Sequence, residues 1–184
     1  STYASILNAE GKFIDDCIIY HIAVNSWMVV HGTGTGMEQL TAVAAGKNCS
    51  VIFDDDLHDM SLQGPVAVDL LAREIPGIRD LAYFGIMQTK LFDCPVMISR
   101  TGYTGELGYE IWCHPKDAPA VWEAIWAAGE PHGIAPLGLD ALDMLRIEAG
   151  LIFAGHEFCP QTSPYEAGIG FTVPMKSKED DFVG

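Results

Sequence analysis

Glycine occupies every third position in the run Arg100-Thr101-Gly102-Tyr103-Thr104-Gly105-Glu106-Leu107-Gly108-Tyr109-Glu110. A residue without a β-carbon takes positive backbone dihedrals freely and lets another group approach the main chain. The run therefore predicts a tight crossover between two strands, with its backbone open to a ligand. It carries Tyr103, a flat stacking surface, and ends on Glu110, which the strand period places on the face opposite Tyr109 and Ile111.

The rest of the chain supplies strands at hairpin distance. Tyr3 to Leu7 reads as a strand that begins at once, and Asn8-Ala9-Glu10-Gly11 turns it into a second strand, Phe13 to His21; Ser26 to Val30 is a third. Further strands are expected at Ser50 to Phe53, Met60 to Gln63, Phe84 to Leu91, Pro95 to Ser99, turned at Asp93, Tyr109 to Cys113 and Ile169 to Val173. Helices are expected from Met37 to Ala45, from Pro65 through Ala72, and from Gly138 to Ala149. Asp117 can cap another that runs to Ala128, with Val121, Trp122, Ile125 and Trp126 on its apolar face. Strands and helices interleaved in this way predict an α+β fold of mainly antiparallel sheets with packed helices, in one compact unit. An opening strand with no lead-in suggests a piece of a longer protein.

Charge narrows the partners. The 184 residues carry 25 acidic and 10 basic side chains, a formal net charge of −15, and the cations are scattered. Such a field repels phosphate backbones and anionic lipid, so neither nucleic acid nor membrane is an expected partner. The five cysteines, at 17, 49, 94, 113 and 159, have neither disulfide-framework nor metal-finger spacing and read as reduced, mostly buried thiols. The six histidines show no metal-ligand spacing. The cytoplasm, or an organelle matrix, fits this composition.

Three features bear on chemistry. Strand alternation puts Asp15 on one face with Phe13 and Cys17, and Asp16 on the other with Ile14 and Ile18, so at least one carboxylate is desolvated and its pKa raised unless it is paired. That suits a proton acceptor; a strand edge with one Asp exposed and the other bonded to backbone is the structural alternative. Glu110 needs donors, which a heterocycle with an amino group beside a ring nitrogen, such as a pterin, would supply, or else a nearby Arg. Arg146 interrupts the stripe Leu139, Leu142, Arg146, Ala149. It meets an anion, snorkels, or pairs with Asp143. A rival signal lies in Gly32-Thr33-Gly34-Thr35-Gly36, a turn between a strand and a helix with Asp54 about 20 residues on, as in dinucleotide-binding units. Met37 stands at its third glycine position, however, and another strand precedes the supposed first one.

Taken in order, Tyr3…Leu7-Asn8-Ala9…Gly11…Ile14-Asp15-Asp16, Leu62-Gln63-Gly64-Pro65, Thr101 to Glu110, Leu145-Arg146-Ile147-Glu148-Ala149-Gly150, Gly155-His156-Glu157, Ser163-Pro164 and Asp181-Phe182-Val183-Gly184 resemble the glycine-cleavage T-protein family. These are folate-dependent aminomethyltransferases with relatives among folate-dependent demethylases. The resemblance implies tetrahydrofolate as the ligand. Asp15 is then expected near the reacting folate nitrogen, with Tyr103 against the pterin ring, Glu110 on its amino and ring nitrogens, Arg146 at the anionic end, and Tyr3 in the pocket. It further implies a lipoyl carrier protein (H-protein) as partner for a true T-protein, a missing segment before the first strand, and a β-barrel domain after Gly184. The 1–184 chain would thus be the central part of a folate-binding domain. One departure stands out: where the family reads Val-Val-Asn-Ala before a basic stretch, this chain has Val29-Val30-His31-Gly32. A folate-dependent demethylase of a small methylated compound is therefore an alternative to aminomethyl transfer. A dinucleotide-binding module and a non-catalytic folate-binding protein are the readings of another class.

Overall fold

A computed structural model describes residues 1–32, 35–177 and 181–184. The chain forms two compact units rather than the single one expected: Ser1–Phe53 with Ile152–Gly184, and Asp54–Leu151.

In the first unit, β1 (Thr2–Leu7), β2 (Phe13–Ala23) and β3 (Ser26–His31) pair antiparallel in that order. The first turn forms because the Asn8 side-chain oxygen accepts the backbone N–H groups of Glu10 and Lys12, while Gly11 takes a φ of 70°. α1 (Gly36–Ala44) follows. Leu7, Phe13 and Phe158 make a small core, with the Phe13 and Phe158 ring centroids 4.3 Å apart. Two expected strands are absent. Residues 50–53 are irregular, with Ile52 and Phe53 largely exposed; short apolar alternation makes no strand without a neighbour to complete its hydrogen bonds. Ile169 to Val173 instead contains a 3₁₀ turn, Gly170–Thr172, because the Thr172 hydroxyl and N–H both donate to the Ile169 carbonyl and close the chain locally.

In the second unit, β4 (His58–Gln63), β5 (Ile86–Leu91), β6 (Cys94–Ser99) and β7 (Gly108–Cys113) form an antiparallel sheet of order β4-β7-β6-β5. Phe92 and Asp93, both at positive φ, make the two-residue turn between β5 and β6. One face of the sheet, with Leu62, Val96, Ile98, Tyr109 and Ile111, packs on α2 (Ala67–Leu71) and α3 (Ala118–Gly129) through Leu70, Leu71, Val121 and Ile125. α4 (Leu139–Glu148) ends the unit.

Two details of α3 depart from expectation. Asp117 makes no side-chain cap because its own backbone is already helical. Trp122 is exposed rather than core, stacked with Trp126 at 6.2 Å on the flank of the Val121–Ile125 stripe. Of the thiols, Cys17 and Cys113 are buried, Cys94 and Cys159 half-buried and Cys49 exposed.

The middle glycine of the crossover packs against the end of α4. Gly105 has a φ of 75°, and a β-carbon added there would lie 2.6 Å from that of Ala149. Gly105→Ala should therefore cost about 1–3 kcal/mol, read as a lowered urea midpoint, from the left-handed backbone and the overlap together.

Candidate functional site

The face of the four-stranded sheet turned away from the core holds the first group of chemical residues. Glu110 lies mid-strand in β7, in register with Ser61 of β4 and Ser99 of β6, two small neighbours that leave its carboxylate room. A run of hydrogen bonds ends on it. Trp112 Nε1 donates to Ser99 Oγ (3.1 Å), Ser99 and Thr101 share a hydroxyl bond of 2.7 Å, and the Thr101 hydroxyl donates to Glu110 Oε2. A carboxylate only accepts, so Thr101 must give it its proton and take one from Ser99. The direction of the whole chain is fixed. Ser99 and Thr101 are buried, so this orientation is sheltered from competing water.

Gln63 explains two of the three crossover glycines. Its Nε2 lies within hydrogen-bond distance of Ser61 Oγ (3.0 Å) and the carbonyls of Thr101 (3.1 Å) and Tyr109 (3.3 Å). Its Oε1 is buried, with no hydrogen-bond partner among the described residues. A β-carbon on Gly102 or Gly108 would fall 2.3 or 2.0 Å from that oxygen. The glycines expected to open the backbone to a ligand instead admit the protein's own groups, Gln63 and Ala149. Tyr103, in the run between Gly102 and Gly105, is half-buried.

Arg146 is 1% exposed. It donates from Nε to Asp143 (2.8 Å) and from Nη1 to the Leu151 carbonyl (3.1 Å), so pairing with Asp143, one of its three expected outcomes, is present. Arg146 shares a stripe of α4 with Ala149, the residue that meets Gly105. Asp59 lies on the same sheet face as Glu110. The residue keeps exposed surface, yet loss of solvation, with the Glu110 charge added, pushes its pKa up to about 8.

The first unit separates the two adjacent carboxylates. Asp15 is fully buried; its Oδ1 accepts the N–H of Asp16 (3.0 Å) and its Oδ2 lies 3.2 Å from His31 Nδ1. Asp16, on the opposite face of β2, is half-buried and accepts the Tyr3 hydroxyl at 2.6 Å. Burial is the main cause that raises the Asp16 pKa; the Tyr3 hydrogen bond opposes it and the Asp15 charge adds to it. The Tyr3 ring also meets Phe171 at 6.2 Å. Tyr3 thus accompanies Asp16, not Asp15. In the dinucleotide reading, β3 pairs antiparallel with β2 and the strand needed at 50–53 is absent, so its parallel unit is not formed among the described residues; Thr33 and Gly34 of that turn lie outside them.

Sequence reasoning missed the supports. Gln63 reaches across 38 and 46 residues of chain, and Trp112 meets Ser99 through the β6–β7 pairing. Gln63 lay in the Leu62-Gln63-Gly64-Pro65 motif and Thr101 in the glycine run, but neither stretch pointed to the bonds these side chains make.

The family model described as the GCVT N-terminal domain matches residues 1–177. The heme-dependent oxidative N-demethylase gamma subunit of Ectopseudomonas mendocina is 56% identical over 94% of this chain and 48% of its own length. Trimethylamine-oxide aldolase of Ruegeria pomeroyi is 46% identical over 99% of this chain and 25% of that protein. Among solved structures, the glycine cleavage system aminomethyltransferase T from Bartonella henselae matches with a TM-score of 0.83 at 32% identity, over 94% of this chain and 46% of that one. The chain spans about half or less of the length of these proteins. No helix among the described residues is long and apolar enough to cross a membrane.

The raised Asp59 pKa has a stability consequence. The folded chain holds a proton on Asp59 up to about pH 8, whereas an unperturbed carboxyl releases it near 3.8. The folded state binds more protons between those values, so stability falls as pH rises through that window. Asp59→Asn removes this slope. Its melting temperature should exceed wild type most at the alkaline end and converge with it at the acidic end, in thermal unfolding across the range.

Proposed function

Because this chain belongs to the GCVT N-terminal domain family, we propose that it is the folate-holding part of a tetrahydrofolate-dependent one-carbon transferase. The observation that carries the proposal is Glu110, an acceptor held by an oriented hydroxyl chain between two serines. A pterin edge presents an amino group beside a ring nitrogen, the donor pair a carboxylate accepts, and Tyr103 offers a flat surface to the ring. Arg146 is assigned to the anionic end of folate, on the α4 stripe that meets the crossover. Bound tetrahydrofolate would supply the nitrogen that accepts the one-carbon unit.

The proton work falls to the first unit. Asp15, completely buried and bonded on both oxygens, is the supporting carboxylate. Asp16, half-buried with a raised pKa and held by Tyr3, is the one fit to take the proton of an attacking nitrogen and return it to the group displaced from carbon. Names among the relatives bear on the donor. An N-demethylase subunit and a trimethylamine-oxide aldolase, at 56% and 46% identity, rank carbon from an N-methyl compound first. An aminomethyl group on a lipoyl carrier protein comes second, favoured by the aminomethyltransferase fold.

Thermal shift with tetrahydrofolate tests the ligand: the melting point should rise with concentration, and Glu110→Gln should weaken binding by about 10- to 100-fold. Stabilisation by NAD and none by tetrahydrofolate would overturn the proposal. In the protein that carries this chain, Asp16→Asn should cut transfer by about 100-fold or more with folate still bound. Unchanged turnover would remove Asp16 from its role.

A further inference from the structure

Arg100 opens the glycine run, and the folate reading leaves it without a part. Strand alternation from Val96 and Ile98 puts it on the core side of the four-stranded sheet, opposite to the face of Glu110. Ladder hydrogen bonds hold its backbone there: its N–H donates to the Gly85 carbonyl (3.0 Å), and its carbonyl accepts the N–H of Phe84 (3.1 Å). The side chain is half-buried, and Nη1 donates to the Leu81 carbonyl at 2.9 Å, which anchors one corner of the guanidinium. Among the described residues no carboxylate pairs with Arg100, and its Nε and Nη2 meet no acceptor.

Arg100 and Arg79 line a cleft of about 190 Å³, together with the side chains of Val68, Leu107 and Tyr109 and a stretch of glycine backbone. None of the lining residues is acidic. Arg79 stands in the 3₁₀ turn Ile78–Asp80 and donates from Nη2 to Asp69 at 2.6 Å; both side chains are more than half exposed, so water weakens that pair. Both guanidinium charges act on the buried Tyr109 hydroxyl: loss of solvation raises its pKa, and Arg100 and then Arg79 oppose the rise. A chain with a formal charge of −15 and ten cations thus brings two of them to one cleft without a carboxylate in its wall.

We propose that this cleft binds a small carboxylate with a short apolar body, its anionic end taken by Arg100 and Arg79 and its carbon by Val68 and Leu107. The site lies on the other side of the sheet from Glu110 and goes beyond the one-carbon transfer reading. The planar fork of Arg100, with one corner already fixed, presents its remaining donors to two carboxylate oxygens, while Arg79 adds charge that Asp69 cancels in part. Val68 is half-buried and Leu107 largely exposed, so ligand carbon meets apolar surface on both. Inorganic phosphate would leave that surface unused and lose solvation against it.

Sodium butyrate is the probe, titrated at constant ionic strength against sodium chloride into the protein that carries this chain. Butyrate should raise the melting point saturably and shift the Arg100 Nε–H resonance in NMR, and chloride should do neither. Arg100→Gln should weaken binding about tenfold or more, and Arg79→Gln, at an exposed pair, about two- to fivefold. Should Arg100→Gln fail to fold, the Arg100 resonance of the wild type and the Arg79→Gln affinity decide. An unmoved Arg100 resonance, butyrate affinity unchanged by Arg79→Gln, or stabilisation by phosphate and not by butyrate would overturn the inference. The butyrate effect should also persist in saturating tetrahydrofolate; its loss there would place the carboxylate in the folate site and overturn a separate cleft.

Discussion

The Gln63 amide is the contact on which the second unit's site depends. Its nitrogen sits among the Ser61 hydroxyl and two carbonyls, one in the crossover and one in β7, so it joins the loop to the sheet across 38 and 46 residues of sequence. That contact exists only where Gly102 and Gly108 lack side chains. Among the described residues Oε1 has no partner, and a buried oxygen left so carries a desolvation cost of about 1–3 kcal/mol. The fold tolerates that cost at the point that fixes where Thr101 and Glu110 meet. Small errors there would break the hydroxyl chain, whose geometry needs Ser99, Thr101 and Glu110 in one register.

This arrangement changes the meaning of the most conspicuous sequence feature. A glycine period states that something approaches the backbone closely; it does not state what. The approach comes from Gln63 at two positions and Ala149 at the third, all of them the protein's own atoms. In the proposed folate reading, recognition falls to the side chains Tyr103 and Glu110, and the glycines serve the packing around them. Their place in the run was legible, because strand alternation alone put Glu110 opposite Tyr109. The hydroxyl chain behind Glu110 was not, since Ser99 and Trp112 become neighbours only through the β6–β7 pairing.

Where elements were misread, the reason is local. Residues 50–53 have strand-like composition but no neighbour to pair with, and Thr172 offers its own backbone a closer acceptor than any strand does. The hairpins were legible because their turn chemistry is local too: Asn8 with Gly11, and Phe92 with Asp93. Cooperative elements such as β7 could be read from pattern because both flanking strands reinforce it. The division of the chain into two units was not legible, since the first unit joins both ends of the chain, Ser1–Phe53 and Ile152–Gly184.

The Asp15–Asp16 pair shows why alternation alone cannot assign roles. It places the two on opposite faces without saying which face is closed. Closure falls on Asp15, whose oxygens are taken by a backbone N–H and an imidazole, and leaves Asp16 with a phenol and partial access to solvent. The same adjacency makes the two interdependent. Two charges one residue apart, one with no water around it, cannot both be ionised without a compensating cation or a large raised pKa. A phenol hydrogen bond lowers that cost for Asp16 only in part, since burial and the Asp15 charge still leave its pKa raised.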